Sequence, residues 1–129
     1  MLFLRHLLQQ HKTFCLMCNS QSEETINHLF FECEFPKQCW AKLHISWVHS
    51  SEVQERIQCT LQASTLPYFH EISIIAMWEL WKLRNRKVFD SEAPLVRLWI
   101  LRFKEEVSFQ SLRIKESSRP AALSWLQSL

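Results

Sequence analysis

The sequence predicts a small all-α domain carrying an N-terminal Cys3His zinc knuckle. Three observations predict it. First, the chain of 129 residues contains no glycine, where average usage of about 7% would supply roughly nine. Tight hairpins and left-handed caps draw on glycine, so a many-stranded β fold is disfavoured. Phosphate-cradling glycine loops are excluded outright. Second, after residue 35 apolar residues recur at three- and four-residue steps, the period of an amphipathic helix. Third, "CLMCNSQSEETINHLFFEC" (15–33) sets two cysteines, a histidine and a third cysteine at metal-ligand spacing.

Taken in order, "MLFLRHLLQQHKTF" (1–14) has Arg5, His6, His11 and Lys12, and no acid precedes Glu23. With Leu4, Leu7 and Leu8 it reads as a short amphipathic docking helix. A mitochondrial presequence, which it faintly resembles, is the alternative. In 22–33, Ser22 is placed to cap a helix with Glu23 and Glu24 in its first turn. "FPKQCWAKLHISWV" (35–48) predicts a helix begun near Pro36, with Cys39, Trp40, Leu43 and Trp47 on one face. "SSEVQERIQCTLQAST" (50–65) predicts a serine-capped helix with Val53, Ile57 and Leu61 as its ridge, ended before Pro67.

"YFHEISIIAMWELWKLRNRKVFD" (68–90) is apolar around most of its circumference, as a central buried helix is. Its basic end, with Lys82, Arg84, Arg86 and Lys87, complements the helix dipole. A further helix is expected over 91–116, started by Ser91 and Pro94, with Leu95, Trp99, Phe103 and Val107 forming a ridge. "SSRP" (117–120) reads as a loop and "AALSWLQSL" as a last short helix. There is no internal repeat and no low-complexity tract. Residues 1–48 are expected to form the knuckle with its flanking helices, and 49–129 the helical body, as one compact unit.

Composition bounds the rest. With 47% hydrophobic and 22% charged residues, the chain has ordinary globular composition rather than that of a disordered one. Six tryptophans and nine phenylalanines supply a large apolar load. The net charge of +2 permits nucleic acid as a partner without arguing for it. Five cysteines cannot all pair internally, and Cys-x2-Cys suits a metal better than a disulfide scaffold. A reducing intracellular compartment, nucleus or cytoplasm, is the expectation. No apolar run approaches the roughly 18 residues of a membrane span.

The ligand spacing is Cys15-x2-Cys18-x9-His28-x4-Cys33. Zinc prefers four ligands in a tetrahedron, and Cys-x2-Cys sets two thiolates along one edge. His28 and Cys33 come from a separate element able to face them, with the three-to-five spacing of zinc sites. Leu29, Phe30 and Phe31 are placed to cover the metal. Four protein ligands describe one structural Zn2+, because a catalytic zinc keeps a position for water. The alternative is three buried thiols and a core histidine. Cys39 and Cys59 lie at helical core spacing. His6, His11, His44, His49 and His70 show no ligand spacing.

These residues resemble a known family. "CLMCNSQSEETINHLFFEC" followed by "FPKQCWAKL" is similar to the zinc-binding domain at the C-terminal end of reverse transcriptases from plant LINE-type (non-long-terminal-repeat) retroelements. The matching residues are Cys15, Cys18, Glu24, Thr25, His28, Leu29, Phe30, Cys33 and Trp40. "MWELWKLRNRKVFD" also matches a stretch that commonly follows that domain, through Trp78, Trp81, Lys82, Arg84, Asn85 and Phe89. The resemblance covers about residues 1–90. It implies zinc on Cys15, Cys18, His28 and Cys33 and descent from a retroelement. No Tyr-x-Asp-Asp is present, and Asp90 is the only aspartate. Polymerase and ribonuclease H chemistry need clustered carboxylates on divalent metals, so the parent activity does not transfer. The expectation is a free-standing fragment.

Two functions follow. One is a non-catalytic zinc module that binds RNA or DNA through Lys82, Arg84, Arg86, Lys87, Arg97, Arg102 and Lys104. Trp78, Trp81 and Trp99 are expected in the core rather than on a stacking surface. The other is a domesticated protein-interaction module (a regulator, toxin or antidote) that offers an apolar surface to a partner helix. An exposed apolar patch favours the second, a continuous basic face the first. No small-molecule substrate is expected. An enzyme is disfavoured: Cys39 and His44 are the one nearby thiol–imidazole pair, and five residues apart on a helix they face different ways.

Overall fold

The computed structural model describes residues 14–18 and 21–129. The expected N-terminal docking helix lies outside them. The fold is all-α. Among the described residues there is no strand, and extended pairing is limited to an isolated antiparallel bridge between Phe14 and Glu23. A π-turn, His28–Glu32, leads into α1, Glu34–Lys42. Then come α2, Val53–Ala63; α3, Phe69–Asp90; and α4, Val96–Phe109. Two 3-10 turns, Ser111–Arg113 and Glu116–Ser118, precede α5, Arg119–Gln127.

The centre of the molecule is α4, which packs against both α3 and α1. Its predicted ridge is buried at Trp99, Phe103 and Val107. The fourth member, Leu95, is exposed, because the chain is still extended there and the helix starts one residue later. The Trp99 and Phe103 rings stack 5.4 Å apart, and Trp125 of α5 meets Phe103 edge-on. From α3, Ile72, Ile75, Ala76, Leu80 and Leu83 enter the same core; from α1 come Cys39, Trp40 and, at its end, Leu43. Cys39 is fully buried, and burial pushes its thiol pKa up. Cys59 on α2 is half-buried.

Several boundaries differ from the sequence expectation, each for a local reason. The expected Ser22-capped helix does not form. Ser22 gives its carbonyl to the Cys15 N–H at 2.8 Å, and the helical turn begins at Ile26. Thr25 supplies the cap instead, its Oγ1 accepting the His28 N–H at 3.0 Å. The helix expected over 35–48 stops at Lys42, where His44 takes a left-handed conformation (φ 57) and the Ile45 N–H closes on the Trp40 carbonyl. Trp47 therefore reaches the core from an extended segment. It lies 5.0 Å from the Trp40 ring and 4.9 Å from that of Phe31.

The helix expected over 91–116 is shorter at both ends. Ser91 is left-handed, and α4 starts only after Pro94; the residue before a proline avoids helical backbone. After Phe109 the chain tightens into 3-10 turns that bury Ile114. The "SSRP" loop is a 3-10 turn running into α5, with Pro120 in the first turn, where a missing N–H costs nothing. On α2 the expected ridge of Val53, Ile57 and Leu61 is only partly buried, while Arg56 and Thr60 are buried. That helix docks through polar contacts: Thr60 Oγ1 accepts the Val48 N–H, and Arg56 donates to the Ser50 carbonyl. No helix among the described residues is long and apolar enough to cross a membrane.

Candidate metal centre

Cys15, Cys18, His28 and Cys33 converge, with one ligand atom from each lying within 4.8 Å of all the others. Two local structures hold them. The first is the tight loop after Phe14. The Cys15 N–H bonds the Ser22 carbonyl, and the Met17 N–H points at Cys15 Sγ at 3.3 Å. An N–H aimed back at the sulfur stabilises a thiolate. The second is the π-turn. His28 is set by the Thr25 cap, and the Cys33 N–H bonds the His28 carbonyl at 2.8 Å. The Phe35 N–H reaches the Cys33 sulfur in turn.

The distances test whether zinc fits. A tetrahedral ion with Zn–S of about 2.3 Å and Zn–N of about 2.0–2.1 Å puts neighbouring sulfurs about 3.8 Å apart and a sulfur about 3.5 Å from the nitrogen. Cys15 Sγ and Cys33 Sγ are 3.8 Å apart, and Cys18 Sγ is 3.4 Å from His28 Nε2. Cys15, His28 and Cys33 are buried and Cys18 is half-buried. Leu29, Phe30 and Phe31 are buried behind them, and Trp40 donates its indole N–H to the Phe30 carbonyl at 2.7 Å. On the open side, a cleft of about 670 Å³ is lined by Cys18, His28, Lys37, Trp47 and Arg56.

Cys15 and Cys33 titrate as a pair. The hydrogen bond from the Cys33 thiol draws the Cys15 pKa down to about 5, and the same bond together with burial pushes Cys33 up. One proton leaves this pair readily and the other is retained. A cation supplies the charge that lets both sulfurs ionise, which suits a thiolate site.

The basic residues named from the sequence do not form one free surface. Lys82 pairs with Glu79 at 2.7 Å, and its Nζ also stands 5.7 Å from the centre of the Trp78 ring. Arg84 is buried and binds Glu24. Arg86 and Arg102 converge on Glu92, each at 2.9 Å. Lys104 donates to the Leu129 carbonyl at 2.8 Å. Lys87 is half-buried and Arg97 is exposed. Trp99 and the half-buried Trp81 pack inward as expected, but Trp78 is 49% exposed. It shares that side of α3 with exposed Ile74 and Phe89, all within about 60° of arc at 100° per residue.

Sequence reasoning missed the partnership of Glu24 with Arg84. Its signal was present in the Glu-Thr ahead of His28 and the Arg-Asn of α3, but nothing in a linear chain says that two such motifs meet.

Residues 3–40 match the family described as zinc-binding in reverse transcriptase, a span that contains all four converging residues. That family is a zinc-binding module distinct from the catalytic reverse transcriptase domain. No curated protein and no solved structure matches the chain.

Proposed function

We propose that this chain is a non-catalytic module built around one structural Zn2+ held by Cys15, Cys18, His28 and Cys33, derived from a plant LINE-type reverse transcriptase. The observation that carries it is the agreement of the sulfur–sulfur and sulfur–nitrogen distances, 3.8 and 3.4 Å, with a zinc tetrahedron. When bound, the ion neutralises the thiolates and ties the loop after Phe14 to the π-turn. The protein contributes the N–H groups of Met17 and Phe35, which face the Cys15 and Cys33 sulfurs, and the cap that sets the His28 backbone. All four positions are filled by protein, which supports a structural role.

The test is elemental mass spectrometry on full-length protein purified without added zinc, beside Cys15→Ser. One zinc per chain in the parent and none in the variant is expected. Well-folded parent without metal would end the proposal.

On partners, the protein-docking reading has more support than the nucleic-acid reading. Four of the basic side chains named above, Lys82, Arg84, Arg86 and Arg102, already face carboxylates. The side of α3 bearing Ile74, Trp78 and Phe89 exposes three large apolar side chains interspersed with Glu71, Lys82 and Asn85, a composition suited to an amphipathic partner helix. Titration of fluorescent single-stranded RNA and DNA at low salt discriminates the readings. Weak binding that collapses with added salt and survives Trp78→Ala is expected. Tight binding lost in Trp78→Ala and Lys87→Ala would favour the nucleic-acid role instead.

A further inference from the structure

The ion pair between Glu24 and Arg84 joins positions sixty residues apart in the chain. Arg84 Nη2 donates to Glu24 Oε1 at 2.6 Å and Nε to Oε2 at 3.3 Å. The two side chains are 4% and 2% exposed. Such a bidentate, desolvated pair is directional, because a guanidinium and a carboxylate meet edge to edge in one plane. Arg84 is itself held: Nη1 donates to Asn85 Oδ1 at 3.2 Å, and its guanidinium lies 5.3 Å from the centre of the Trp81 ring.

Glu24 sits at the junction between the two halves of the metal centre. On one side, Glu23 bridges to Phe14 and the Ser22 carbonyl accepts the Cys15 N–H. On the other, Thr25 caps His28. Fixing the Glu24 carboxylate therefore fixes the relation of the Cys15/Cys18 loop to the His28/Cys33 turn.

We infer that Arg84 is a positioning residue for the metal centre: acting through Glu24, it holds the two ligand pairs at bonding distance. This rests on the zinc reading above. Arg84 is consequently withdrawn from any nucleic-acid surface, and α3 becomes part of the apparatus that sets metal affinity. Outer partners of this kind typically change metal affinity by about 10- to 100-fold when removed.

The experiment uses the full chain with Co2+ as spectroscopic probe and Zn2+ competition against a chromophoric chelator. Arg84→Met, Arg84→Lys, Glu24→Gln and the double variant Glu24→Gln/Arg84→Met are compared with the parent. Arg102→Met serves as control, since it breaks an ion pair with Glu92 in which neither Glu24 nor Arg84 takes part. Arg84→Met and Glu24→Gln are expected to lose about 10- to 100-fold in affinity and to alter the Co2+–thiolate absorption, which reports ligand geometry. Arg84→Lys keeps the charge but not the fork and is expected to recover little of the loss. The double variant is expected to match the worse single variant rather than their product, and Arg102→Met to bind as the parent does.

Parental affinity and spectrum in Arg84→Met would overturn the inference while leaving the zinc site standing. Should Arg84→Met not fold, the same result in Arg84→Lys or Glu24→Gln overturns it. A folded parent that binds neither metal sinks both readings together.

Discussion

Glu92 accepts hydrogen bonds from Arg102 through both carboxylate oxygens, at 2.9 and 3.0 Å, and from Arg86 at 2.9 Å. The Arg102 bonds foremost, then those of Arg86, hold its pKa near 2 against an ordinary 4.5. A carboxylate depressed in the folded state contributes stability that is complete above its unfolded pKa and is lost as pH falls through the folded one. The window is therefore pH 4.5 down to about 2. Glu92→Gln is expected to cost roughly 0.5–1 kcal/mol at pH 7, since the group is partly solvated. Its acid limb should then be flatter than the parent's in that window. Urea midpoints measured at pH 7, 4.5 and 3 check this; parallel losses in both proteins would contradict it. Spacing picks out the four side chains that converge at the candidate metal centre, but the Thr25 cap and the N–H groups facing the sulfurs depend on turns whose form the sequence does not announce.

At the scale of elements, a chain without glycine must still end its helices. It uses His44 just after α1 and Ser91 just after α3 in the left-handed region, each at φ 57; Gln21 takes the same region at φ 56 in the loop ahead of Glu23. Ser91 ends α3, with its own N–H and that of Glu92, the latter at 3.2 Å, both closing on the Arg86 carbonyl, so that the left-handed stop satisfies a carbonyl the helix leaves open. A side chain in that conformation costs about 1–2 kcal/mol that glycine avoids. Glycine gives part of this back in unfolded-state entropy. Ser91→Gly is accordingly expected to stabilise the protein by about 1 kcal/mol, read as a raised urea midpoint at unchanged slope. A lowered midpoint would mean that the Ser91 side chain makes a contact outweighing its backbone. The absence of glycine correctly pointed to helices, but the positions of the stops were less legible. The helices expected over 35–48 and 91–116 were extended by apolar spacing past residues that the backbone ends early.

For the whole molecule, the central question is how far the metal's influence reaches. Zinc binding to small modules supplies about 10–16 kcal/mol of apparent free energy, while whole domains rest on about 5–15. Here the stacked Trp99 and Phe103 of α4 lie in a core made with α3 and α1. That core is built largely from residues beyond Cys33. Chelation, Cys18→Ser and His28→Ala should therefore loosen the knuckle while leaving most of the far-UV helicity. Limited proteolysis should find new cleavage ahead of α1, and unchanged proteolysis together with an unchanged spectrum would contradict a structural metal. The Glu24–Arg84 pair is the route by which that loosening would be felt in α3.

Spacing and composition determined what is local. The helical class and the buried ridge of Trp99, Phe103 and Val107 follow steps of three to four residues, which short-range periodicity writes directly into the chain, and spacing likewise picks out the four side chains that converge at 15, 18, 28 and 33. Tertiary structure alone decided which charges are free. Arg84 and Lys87 read alike in sequence, yet one is buried against Glu24 and the other is half-buried. It likewise placed Trp78 outside the core and Trp47 against it without a helix. Burial and pairing depend on residues sixty positions away, and the cost of desolvating a charge or aromatic ring is settled only when those neighbours arrive.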